Sequence, residues 1–214
     1  MFDIFSKEGL ISFLYLLPAL LISLAIHEFA HAYTAYKLGD RSQKALGRLT
    51  LDPFAHMDWM GFLAVALLGF GWGKPVMVND SNFKNKARDN MLVALAGPMS
   101  NLIMAVIFTL IFKLLMITGV ITDSQTFVNT IVISMLALAI QFNVIFAIFN
   151  MIPIPPFDGS KVLRYFLPRK GKEVMDMLEA YSFYIIIIFL VTGLGSMIVR
   201  PILNVILSLL NMII

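Results

Sequence analysis

Ile26–Ala32 reads Ile-His-Glu-Phe-Ala-His-Ala, which puts His27, Glu28 and His31 within five positions. Two histidines four apart lie on one face of a helix, about one turn from each other. Their imidazoles can reach one metal ion, and the glutamate between them can act as a base toward water that the ion activates. The chain has no cysteine and only three histidines, the third being His56. A zinc site here must therefore be built from His and carboxylate. A catalytic zinc takes three protein ligands and keeps a fourth position open. The third ligand is then His56 or a carboxylate, and Asp158 is the stronger candidate. It follows the Pro-rich stretch Asn150–Gly159, which can hold a carboxylate still, and Gly159 lets the chain turn after it. Asn150 can offer an amide N–H to a developing oxyanion, and His56 can do the same or bind substrate.

These residues must be positioned by membrane helices. The 214-residue chain is 59% hydrophobic and 14% charged, with a mean hydropathy of +0.87. A soluble domain this apolar could not cover its core with polar surface, so the class is an all-α polytopic membrane protein. No stretch alternates with period two, as barrel strands would. Gly9 to Ile26 carries no charge, so the histidine pair sits within or just under the first span. An ionisable residue there costs roughly 2.5–3.5 kcal/mol on insertion scales, so three in five positions call for a role. The N-terminus lacks the basic region and cleavage site of a signal peptide, and the first span reads as retained.

Span one covers about 9–37, with Pro18 as a candidate kink. A polar connector at 40–58 leads to a short apolar stretch at 61–72, expected as a re-entrant or interfacial hairpin, then a short strand at 74–78 with Pro75 at its edge. Span two covers about 91–116 and opens with Ala96–Asn101. Asp123 is the only charge of the loop at 118–125. Span three covers about 126–150 and ends at Pro153, Pro155 and Pro156. A polar stretch at 160–179 precedes a fourth span at about 180–199, interrupted by Gly193, Gly195 and Arg200-Pro201. The segment 202–214 is expected as a short fifth span or an interfacial helix. The whole reads as a single integral-membrane domain over 1–214, with a three-helix core at about 9–165 that carries the candidate site and C-terminal hydrophobic segments at about 180–214. No internal repeat is present.

Lys and Arg set the expected orientation. The connectors 39–59, 74–90 and 151–180 hold twelve of the sixteen, and the loop 118–125 holds none. The former face the cytoplasm on this count. That puts Asp158 at the same depth as His27 and His31. No basic cluster with interleaved aromatics points to nucleic acid; the basic connectors read as lipid-headgroup contacts on the bilayer.

Three motifs in order resemble those of the site-2 proteases, intramembrane zinc metalloproteases. They are His27-Glu28-Phe29-Ala30-His31, Ala96-Gly97-Pro98-Met99-Ser100-Asn101, and Asn150-x-x-Pro153-x-Pro155-x-x-Asp158-Gly159. The resemblance implies one Zn2+ per chain held by His27, His31 and Asp158, with Glu28 activating water and Asn150 holding substrate or oxyanion. His56 sits where many bacterial relatives have a histidine near the active site; Asp52 stands where relatives commonly have Asn. The chain resembles a minimal form without the PDZ or CBS domain of many relatives. The function implied is hydrolysis of peptide bonds in transmembrane segments of membrane-protein substrates, near the cytoplasmic side of a bacterial plasma membrane. Two other classes fit parts of the pattern: a non-catalytic zinc-binding membrane protein, and a transporter with a buried proton relay. The sequence names neither the substrate nor an oligomeric state.

Overall fold

A computed structural model describes residues 6–69, 71–122 and 126–213. Asp123 lies outside them. Helix α1, Lys7–Lys37, starts where the Ser6 hydroxyl accepts the Gly9 N–H at 3.1 Å. Its 31 residues give a length of about 46 Å, more than a bilayer's ~30 Å of hydrocarbon. Pro18 is accommodated inside it. The connector folds into two single turns, α2 at Ser42–Ala45 and α3 at Pro53–His56. Helix α4, Trp59–Leu68, begins with Asp58 accepting the Gly61 N–H and ends at Gly69 in the left-handed region. The chain then returns across 71–79, so the expected hairpin is a helix followed by a return segment.

Among the described residues no strand forms at 74–78. One isolated bridge, Gly73 to Met57, is all the β-pairing present. The reason lies in the segment's partners: its carbonyls and N–H groups are taken by side chains and loop backbone rather than by a second strand.

Helix α5, Lys86–Ile117, starts five residues before the expected span because Asn85 caps it, accepting from Arg88. Helix α6 runs Phe127–Asn150 and stops ahead of the prolines. Two short helices follow, α7 at Asp158–Phe166 and α8 at Arg169–Ala180. The C-terminal region corrects the expected spans. The break falls at Gly193, whose φ of 71° is left-handed, and separates α9, Ser182–Thr192, from α10, Leu194–Asn211. Arg200-Pro201 does not interrupt α10. A proline inside a membrane helix removes one backbone bond, and such helices tolerate that loss. The stretch 202–214 is thus the second half of α10 and its end, not a separate segment.

Among the described residues four helices are long and apolar enough to cross a membrane: α1, α5, α6 and α10. The protein is an integral membrane protein. Helices α1, α5 and α6 pack mutually, and α10 packs on α6. Small residues line these seams, with Ala32, Ala35, Ala94, Ala105 and Ala147 essentially inaccessible. Close approach of backbones replaces the hydrophobic drive that lipid cannot supply.

Asp40, just past α1, ties the connector to the return segment. Its carboxylate accepts from the Ser42 N–H and hydroxyl, the Gln43 and Asn82 amides, and the Asn79 N–H, at 2.6–3.1 Å. Burial raises its pKa, but bonds from Ser42, Asn79, Gln43 and Asn82 outweigh that and push it down to about 2. Asp40→Ala is expected to cost about 2 kcal/mol in unfolding measured in detergent, since the buried Gln43 amide loses its acceptor and the partly buried bonds to the connector and return segment are lost. A depressed carboxyl pKa contributes its stability above the ordinary value and loses it as pH falls through the folded value. The gap between wild type and variant should therefore hold down to about pH 4 and narrow below it.

Candidate active site

The histidines project from the last third of α1, and Asp158 opens α7. The Nε2 atoms of His27 and His31 stand 3.0 Å apart. Asp158 Oδ2 lies 3.3 Å from the first and 3.2 Å from the second. All three residues are buried or nearly so. At the N-terminus of α7 the Asp158 carboxylate also meets the positive end of the helix dipole.

Helix α5 orients both rings. His31 Nδ1 meets the Val93 carbonyl at 2.7 Å, and His27 Nδ1 meets Asn101 Oδ1 at 2.6 Å. Both acceptors lack a proton to give, so each Nδ1 carries the hydrogen and each Nε2 keeps a lone pair. Asn101 is itself held, donating to Asn143 Oδ1 at 3.0 Å and to the Ser23 carbonyl at 3.3 Å. The Phe146 ring of α6 stacks on His27 with centroids 4.6 Å apart. Val93, Gly97 and Asn101 are four apart, so they form one stripe along α5 facing the two imidazoles.

Three residues extend the site. Glu28 is half-buried, and its Oε2 accepts the Val76 N–H at 3.0 Å. It faces a largely apolar cavity of about 770 Å³, whose wall also includes His27, His31, Asp158 and Asn150. Asn150 donates one amide hydrogen to the Phe146 carbonyl, which leaves the second for a ligand. His56 is not on that wall. It is fully buried, its Nε2 bonds to the Thr50 carbonyl at 2.8 Å, and its own carbonyl accepts the Lys74 N–H at 2.8 Å.

Residues 15–193 match the model of peptidase family M50. The chain belongs to this family, the site-2 proteases. It is 37% identical over 190 residues to the "Putative zinc metalloprotease YwhC" of Bacillus subtilis, covering 89% of this chain and 86% of that protein. It is 29% identical to the "Putative zinc metalloprotease Rip2" of Mycolicibacterium smegmatis, over 84% of this chain and 68% of the relative. The Mycobacterium tuberculosis protein of the same name is 30% identical, over 86% and 70%. No solved structure matches the chain significantly. The chain is a zinc metalloprotease.

The donor set of this M50 metalloprotease fits zinc. Ligand atoms at about 2.0–2.2 Å from a tetrahedral zinc stand about 3.4 Å from each other. The three separations here are 3.0, 3.2 and 3.3 Å. Three nitrogen and oxygen donors leave the fourth corner that catalytic zinc requires. In the sequence Asn101 is only the last residue of a motif. The signal for more was present: Gly97 and Asn101 repeat at four residues, as His27 and His31 do. Asn101→Ala is expected to lower zinc affinity about 10–100-fold, read by competition with a chromophoric chelator.

Proposed function

We propose that this metalloprotease hydrolyses peptide bonds inside membrane-embedded segments of membrane-protein substrates. The observation that carries the reading is the location of the donors. His27 and His31 belong to a helix that is itself long and apolar enough to span, beside a largely apolar cavity. A soluble chain's polar loop gains nothing from such walls, whereas an apolar segment does. The Lys and Arg distribution supports a site toward the cytoplasmic face of a bacterial plasma membrane.

His27, His31 and Asp158 would hold the zinc. When bound, zinc supplies Lewis acidity, making water deprotonable near neutral pH and polarising a carbonyl. Glu28 serves as the base. Its Oε2 is engaged by Val76, so Oε1 takes the proton from the attacking water and returns it to the leaving amide nitrogen. Asn150 turns its free amide hydrogen toward the carbonyl oxygen. His56 contributes through the segment it anchors at Lys74. A substrate helix hides its carbonyls in its own hydrogen bonds, so it must unwind locally before attack.

The test is cleavage of a single-pass reporter reconstituted with the purified protein in liposomes, with products mapped by mass spectrometry. Cuts inside the apolar segment are expected. Cuts confined to its water-exposed flanks would overturn the reading. Chelation should abolish cleavage, and added Zn2+ should restore it.

A further inference from the structure

The return segment gives one backbone group from each of four consecutive residues to a different part of the chain. The Lys74 N–H goes to the His56 carbonyl at 2.8 Å. The Pro75 carbonyl accepts from Arg48 Nη2 at 3.1 Å. The Val76 N–H goes to Glu28 Oε2 at 3.0 Å. The Met77 carbonyl accepts from Gln43 Nε2 at 2.8 Å. Lys74 and Val76 give their N–H groups, and Pro75 and Met77 give their carbonyls. The residue that meets the proposed base is thus clamped on both flanks.

The clamps are costly to bury. Gln43 is fully buried and Arg48 is 7% exposed. Among the described residues no carboxylate pairs with Arg48; its other nitrogen, Nη1, donates to the Ala55 carbonyl at 2.6 Å. A guanidinium withdrawn from water and satisfied by two carbonyls needs a reason beyond packing. Neither side chain reaches the cavity wall. Gln43 also donates to Asp40, but what the two side chains share is the return segment, whose Val76 N–H touches a catalytic group.

We propose that the Val76 N–H aims the Glu28 carboxylate, and that Gln43 and Arg48 are positioning residues acting through Val76. The inference rests on Glu28 being the base. A glutamate on a cavity wall has three rotatable bonds, and a charge-assisted bond to a fixed N–H selects one rotamer. It also settles which oxygen stays free for the water. A misplacement of about 1 Å costs catalysis about 10²-fold.

Two measurements on the purified full chain test this. In hydrogen exchange read by mass spectrometry on peptides covering 71–79, Glu28→Ala should speed exchange at Val76. Glu28→Gln should not, because its amide oxygen still accepts. With the reconstituted single-pass reporter as probe, Val76→Pro, which deletes the N–H, should lower kcat about 10²-fold with KM within about twofold and about one zinc retained. Val76→Ala, which keeps the N–H, should fall less. Arg48→Ala and Gln43→Ala should lower kcat about tenfold, and Arg48→Lys less, since an ammonium replaces part of the fork's reach. A rise in KM alone would assign the segment to substrate pairing and overturn the proposal. Unchanged exchange in Glu28→Ala, or a wild-type or higher kcat in Val76→Pro, would also overturn it. Wild-type turnover in Glu28→Gln would instead remove the base assignment itself, whatever the exchange data show.

Discussion

Glu28→Gln is expected to lower turnover about 10²–10⁴-fold while the protein still holds about one zinc per chain. The glutamine keeps the size of the side chain and an oxygen to accept the Val76 N–H. It loses only the ability to take a proton. Glu28 is also absent from the cluster of converging donors, which consists of His27, His31 and Asp158. Metal content and catalysis should therefore separate in this variant. They should fall together in Asp158→Ala, which removes a donor. Elemental analysis alongside cleavage of the reconstituted single-pass reporter reads both quantities on one preparation. A protein using zinc only as a structural or sensing ion would lose no function in Glu28→Gln, so an unchanged variant would favour that class.

Much of this site is legible in the chain because local rules govern it. The helical repeat alone puts His27 and His31 on one face, and the structure brings their Nε2 atoms to 3.0 Å. The prolines after Asn150 end α6, and Asp158 arrives beside that pair. The register between α1 and α5 is not local. His31 meets Val93 while His27 meets Asn101, an antiparallel match set by side-chain packing between two spans. Composition near either motif does not contain it. The strand expected at 74–78 failed for a similar reason. Distant side chains, Gln43, Arg48 and Glu28, take the places of a pairing strand. In the C-terminal region both Gly193 and Pro201 are candidate breakers. The left-handed φ at Gly193 ends α9, whereas α10 runs on through Pro201.

Gly97→Ala is expected to abolish cleavage and to lower zinc affinity about 10²-fold. A Cβ at Gly97 would stand 2.4 Å from His31 Nε2, 2.5 Å from His31 Cε1 and 2.7 Å from His27 Cε1. These atoms are not free ends that swing aside. Each ring is pinned at Nδ1 by α5 itself, through Val93 and Asn101, one turn before and one turn after the glycine. Helix α5 cannot back away from α1 without stretching both bonds, and the rings cannot turn without breaking them. Overpacking of this kind costs about 1–3 kcal/mol, so the variant should still fold. Met99→Ala, trimming an exposed side chain on the same helix, should bind zinc as wild type does and serves as the control. Raising free zinc then separates two causes. If the methyl only weakens binding, excess metal restores turnover. If it splays the imidazoles, metal returns and turnover does not. The second outcome is expected, because the added carbon falls against both ligand rings at once. Full zinc content and full activity in Gly97→Ala would show that the two helices stand farther apart than this packing allows.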